Sequence, residues 1–217
     1  MNVQIAVMEP LSATLLAPGP TTQGHPARRH SVGQFLLRTE ALAHFNELLM
    51  RLHHFPLDPD QLATASRDLA VSPTAGQRAA RIEQRLQVVN AVNQMIADRN
   101  WSLAREAVEP ARVVVDYVHS DHELIPESLP LVGRLDDAIL VDAAWPQLAD
   151  EVDSYLDYCR LREIEAEMRG CEVTAFTFTR DDWQQERVAE ANLISHCHHV
   201  SERSYVPAST VAYFHVH

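Results

Sequence analysis

Apolar residues recur along most of this chain at three- and four-residue spacing, the period of helices that bury one face. Between Ser31 and about His54, the positions Phe35, Leu36, Leu42, Phe45, Leu48, Leu49 and Leu52 follow it and predict an amphipathic helix. Asp58-Pro59 pairs a capping residue with a proline suited to a first helical turn, and opens a short helix through Ala70. Ser72-Pro73 repeats that signal before a longer helix with Ile82, Leu86, Val89, Val92 and Ile96 on one stripe. Trp101 to His119 predicts a further helix, restarted at Pro110, with Val113, Val114 and Val115 buried. Asp136 is expected to cap the next one, which Pro146 kinks or restarts and which runs through Tyr155, Leu156 and Leu161 to a C-cap at Gly170.

The pattern changes after Gly170. Cys171 to Thr179 alternates, with Phe176 and Phe178 on one face, and predicts a strand. Asp181 or Asp182 opens a helix to about His199, and Ser209 to His217 predicts a second strand. The expected architecture is mostly α. A leader over residues 1–30 precedes a helical domain over 31–170, and a small C-terminal β-α-β appendage occupies 171–217. The leader is rich in Pro, Thr and Gly, lacks the positively charged start of a secretory signal, and is expected to be flexible.

Composition narrows the function classes. With 46% hydrophobic and 22% charged residues, the chain can bury a substantial core. All 18 basic residues are arginine, which removes Schiff-base chemistry and the phosphate-binding lysine of a P-loop. The six glycines form no phosphate-cradling loop. This arginine-only, alanine-rich usage fits a GC-rich bacterial genome. Residues 1–100 carry nine arginines and eight acids, whereas residues 101–217 carry nine arginines and 22 acids. So acidic a second half repels phosphate backbones, and nucleic acid is not expected as a partner. Cys159, Cys171 and Cys197 are odd in number and widely spaced, which fits a reducing cytoplasm better than a disulfide framework. No uncharged apolar stretch is long enough to span a bilayer.

The segment from Ser120 to Asp137 joins two predicted helices and is dense in special residues. Pro126 and Pro130 push Ile125 and Leu129 toward extended backbone. Gly133 is expected to supply a backbone angle that other residues avoid. Leu124, Ile125, Leu129, Leu131, Val132 and Leu135 provide apolar bulk beneath. The picture is a rigid crossover with carboxylates at its rim.

This segment resembles the YkvA-like domain, a small bacterial domain of unknown function. Ser120, Leu124, Ile125, Pro126, Pro130, Gly133, Asp136 and Asp137 match its pattern without a gap, and the resemblance extends from Val113 to about Leu148. Asp121 replaces a proline of that pattern, and Glu123 and Glu127 replace aspartates. The resemblance implies no particular reaction. It does raise peripheral attachment to the inner membrane, against which Asp116, Asp142 and Asp150 interrupt the apolar helices.

Two groups of residues could hold a metal. Asp116 and His119 lie three apart on one helical face, and Asp121, His122, Glu123, Glu127, Asp136 and Asp137 follow within reach. Such a mixed His and carboxylate set would suit a divalent ion. The structural alternative assigns Asp136 to capping, Asp137 to the helix dipole and Asp116 to pairing with Arg112 or Arg134. The second group is His196 and His199, with His215 and His217 across the predicted strand and Cys197 beside them. Histidines near a helix C-terminus are also favoured by the dipole alone. Adjacent helical residues do not face each other, so Cys197 between two histidines does not make a thiol dyad. Trp101, Trp145 and Trp183 fit core positions.

No catalytic constellation emerges, and no organic cofactor is expected. The leading expectation is a non-catalytic interaction or scaffold protein of the bacterial cytoplasm, bound to a protein partner or to itself. The alternative is a divalent-metal-binding regulator, or a metal-dependent enzyme, using the carboxylate loop or the C-terminal histidines. A third is a peripheral inner-membrane protein.

Overall fold

The computed structural model describes Leu11, Leu15 and residues 31–32, 34–71, 75–130 and 132–203. The chain divides into two compact units, 1–159 and 160–217.

In the first unit a short antiparallel hairpin of β1 (Ser31–Val32) and β2 (Phe35–Leu36) precedes four helices and the start of a fifth. These are α1 (Thr39–Arg51), α2 (Pro59–Val71), α3 (Ala75–Ala97), α4 (Arg105–Val118) and α5 (Leu135–Met168). The predicted first helix thus begins later than its apolar spacing suggested. Phe35 and Leu36 belong to β2, where Leu36 is largely exposed, and Arg38 is extended at the helix boundary. Of the 1–30 leader only Leu11 and Leu15 are described, and both are buried. Ser72 and Pro73 lie outside the described residues.

The core is built from one face of each helix. Phe45, Leu49, Leu62, Val92, Met95, Val114, Leu140 and Val152 are all essentially sealed from solvent. The α3 stripe ends one turn earlier than expected: Ile82, Leu86, Val89 and Val92 are buried, but Ile96 is exposed and Met95 takes the inward position. Neither internal proline breaks its helix, since Pro110 lies within α4 and Pro146 within α5. Each costs a backbone bond and crowds the preceding turn, and the packed helices around them offset that. Val115, expected to be buried with its neighbours, is only partly so.

Polar side chains tie the helices where apolar packing alone would leave backbone groups bare. The Asn46 side chain exchanges two hydrogen bonds with the Leu57 backbone, donating at 3.1 Å and accepting at 2.8 Å, which fixes the α1–α2 turn. Gln147 Nε2 donates to Leu52 O at 3.0 Å. Glu151 Oε1 accepts from Trp101 Nε1 at 2.9 Å and from the Ala104 amide at 3.1 Å, satisfying backbone at the start of α4. Arg85 on α3 is fully buried and meets Asp142 on α5 through two bonds, at 2.8 and 3.2 Å.

In the second unit, Gly170 terminates α5 with a φ of 65°. The Gly170 amide bonds to Glu167 O and the Cys171 amide to Ala166 O, the paired closure typical of a glycine C-cap. Cys171 to Thr179 then forms a turn and an irregular stretch, not the predicted strand. The alternation had a different cause: the Phe176 and Phe178 rings stack at 5.9 Å, Phe178 is buried, and the Arg169 guanidinium covers Phe176 at 4.9 Å. A strand needs a ladder partner, and none is present for it among the described residues. The predicted second strand, Ser209 to His217, lies outside them. Of the expected β-α-β appendage the described residues show the helix alone, α6 (Arg180–Arg203). Thr179 caps it: Asp182 Oδ2 accepts from the Thr179 amide at 2.8 Å and hydroxyl at 2.7 Å, and the Asp182 amide returns to Thr179 Oγ1. That reciprocal cap, rather than Asp181 or Asp182 as cap residue, opens the helix.

No helix among the described residues is long and apolar enough to cross a membrane.

Candidate functional site at the crossover

The crossover between α4 and α5 closes around one carboxylate. Asp136 lies in the first turn of α5, and instead of capping that helix its side chain turns back beneath the loop. Its Oδ2 accepts from the Tyr117 hydroxyl at 2.7 Å and from the Leu124 and Ile125 amides at 3.0 Å each. The Leu124 amide also reaches Tyr117 Oη at 3.1 Å. Tyr117, Leu124, Ile125 and Asp136 are all buried. Two loop amides that would otherwise be stranded in an apolar interior are thereby satisfied. Burial pushes the Asp136 carboxyl above the usual range, partly offset by its three donors. Burial and the neighbouring Asp136 charge push the Tyr117 phenol well up, so it stays a neutral donor.

Asp137 is buried as well, and the chain thus places two carboxyls side by side at a closed loop. Desolvation first, and the Asp136 charge second, raise the Asp137 carboxyl to about 7. Arg134 pulls it down, while Glu127 and Glu123 add to the rise.

At the rim, Arg134 Nε and Nη2 both bond to Glu127 Oε1, at 2.8 and 2.7 Å. Arg134 adopts a φ of 73°, unusual for a residue with a side chain. The positive φ expected at Gly133 falls on its neighbour. Gly133 is needed for space instead: a Cβ there would overlap Glu127 O and come within 2.8 Å of Leu129 O. Glu123 Oε2 accepts from the Glu127 amide at 3.2 Å. Both glutamates that replace aspartates of the YkvA-like pattern therefore hold the loop locally.

The first candidate metal set is dispersed by these roles. Asp136 and Asp137 are sealed beneath the loop, Glu127 pairs with Arg134, and Asp116 and His119 are exposed on α4 and at its end. His119 Nδ1 lies 2.8 Å from Val115 O, and His122 packs edge-on to His44. In the second set His196 and His199 are exposed on α6, while His215 and His217 lie outside the described residues. Among the described residues, no three His, Cys, Asp or Glu side chains gather as a metal would require.

Sequence reading missed Tyr117, the hub of this arrangement. Its signal was present: a tyrosine in the apolar stripe of α4 needs a partner for its hydroxyl once buried. Arg134 was considered only as a partner for Asp116.

No protein-family model, curated protein or solved structure matches the chain.

Proposed function

We propose that this chain is a non-catalytic interaction or scaffold protein of the bacterial cytoplasm, built on a YkvA-like crossover. One observation carries the reading. Helix α6 is 24 residues long, and every residue from Gln184 to Val200 is exposed. Val188, Leu193, Ile194 and Val200 are 53 to 62% accessible within that stretch. A helix draws most of its stability from packing an apolar face, so this one is suited to receive a partner. The crossover supports the same reading. Its carboxylates satisfy buried amides and hold a loop, which is what a rigid joint between helices requires. The residues that carry the YkvA-like resemblance include Leu124, Ile125, Gly133 and Asp136, the ones that close that joint.

The test compares three forms of the full chain: wild type, a variant with Val188, Leu193, Ile194 and Val200 replaced by Ser, and Asp137→Asn. Protein binding, to another protein or to itself, should be lost in the first variant and kept in the second. A wild-type chain that neither captures a protein nor self-associates would end the reading. Loss confined to Asp137→Asn would return the function to the crossover.

A further inference from the structure

We infer that the leader docks back on the first unit as a strap, through Leu11 and Leu15, and closes the Arg85–Asp142 pair from solvent. The pair is placed where a cover is needed. Asp142 interrupts an apolar run of α5, between Leu140, Val141, Ala143 and Ala144, all of them buried. A carboxylate there requires partners for the oxygens it withdraws from water. Arg85 supplies two bonds, from Nε to Oδ1 at 2.8 Å and from Nη2 to Oδ2 at 3.2 Å, and its Nη1 turns to Arg81 O at 3.1 Å. The Asp142 carboxylate accepts one more, from the Leu11 backbone amide.

That bond brings the leader directly to the pair. Leu11 and Leu15 stand four positions apart and keep only 3% and 7% of their surface exposed, so both are seated on the unit. Arg85 is sealed, whereas Asp142 keeps 26% of its side chain exposed. The pair therefore lies at the edge of the core, where a single segment can open or close it. The hold is separable from the fold. It consists of two leucines and an amide of the kind any backbone offers, while the helices pack through faces of their own. Carried on the same chain, the segment acts at a local concentration on the order of millimolar, so a weak contact stays made in cis. Lifting it opens a cation beside a carboxylate to solvent; setting it down shuts them in.

Leu11→Asp combined with Leu15→Asp in the full chain should free the strap while far-ultraviolet circular dichroism retains the helices. Reaction with phenylglyoxal, mapped by peptide mass, then reads Arg85 against Arg51, whose side chain is half exposed. In the wild type Arg85 should stay protected after Arg51 has reacted. In the variant it should react about tenfold faster or more, as a group released from burial to local opening does. Adding a peptide of residues 8–18 to the variant, at the same millimolar level, should restore the protection. An Arg85 as protected in the variant as in the wild type overturns the strap, since the leader is then not its cover. Loss of the helices overturns it too, by making the leader part of the core. So does a peptide that leaves Arg85 reactive, because the contact is then not a separable one.

Discussion

The Asp136 carboxylate gathers three donors inside an apolar loop, so its removal should cost more than any one bond. Asp136→Ala leaves the Leu124 and Ile125 amides and the Tyr117 hydroxyl without it. A loss of about 3 kcal/mol or more is expected in urea unfolding, since each stranded group costs roughly 1–3 kcal/mol. Tyr117→Phe should cost about 1–1.5 kcal/mol, and the double variant should cost less than the sum because the two share one network. Asp137 makes a different prediction. Its carboxyl is raised by burial and by Asp136 to about 7, well above an unfolded aspartate. The folded state therefore holds a proton that the unfolded chain has already released, and stability falls as pH rises from about 4 to about 7. Above that range the loss is complete. Unfolding at pH 5.5 and pH 8 should show the protein more stable at the lower pH, and Asp137→Asn should flatten the difference. The sequence revealed that carboxylates gather here. It did not reveal which would be buried, because that depends on what packs over Asp136 and Asp137 and leaves Glu123 and Glu127 at the rim.

At the scale of elements, two glycines end or turn the chain for different reasons. Gly170 sits at positive φ with open space around it, so Gly170→Ala should cost only about 1 kcal/mol of backbone strain. Gly133 has no room, and Gly133→Ala should force Glu127 and Leu129 apart and cost about 2 kcal/mol or more. Thermal unfolding of the two variants, side by side, checks the contrast. The C-cap at Gly170 was legible because it depends on local backbone alone. The spacing of Phe176 and Phe178 was equally visible but read as a strand. Alternation reports that two side chains share a side; it does not report whether a neighbouring strand exists to complete the ladder. Helix α6 was expected at nearly its observed place, but its complete exposure from Gln184 to Val200 was not.

For the molecule as a whole, the pair of buried Arg85 and half-buried Asp142 links α3 to α5 across the first unit. Burial raises the Asp142 carboxyl and Arg85 counters it. Arg85→Ala should cost about 1.5–3 kcal/mol by taking the charged hydrogen bonds from a half-buried carboxylate. Replacing both residues together with Met and Leu should restore most of that, as denaturant midpoints will show. Nothing local in the sequence marks this pair, since its members are 57 positions apart. The sequence by itself determined the helical class, the approximate place of the six described helices, and the proline- and glycine-bearing crossover. Those follow from periodicity and from backbone restrictions carried by single residues. Only the tertiary structure decided that Asp136 faces inward to Tyr117, that Glu127 belongs to Arg134, and that α6 stands with its apolar residues uncovered. Each of those depends on how the chain packs once folded, and burial sets both the strength of a polar contact and the pKa of an acid.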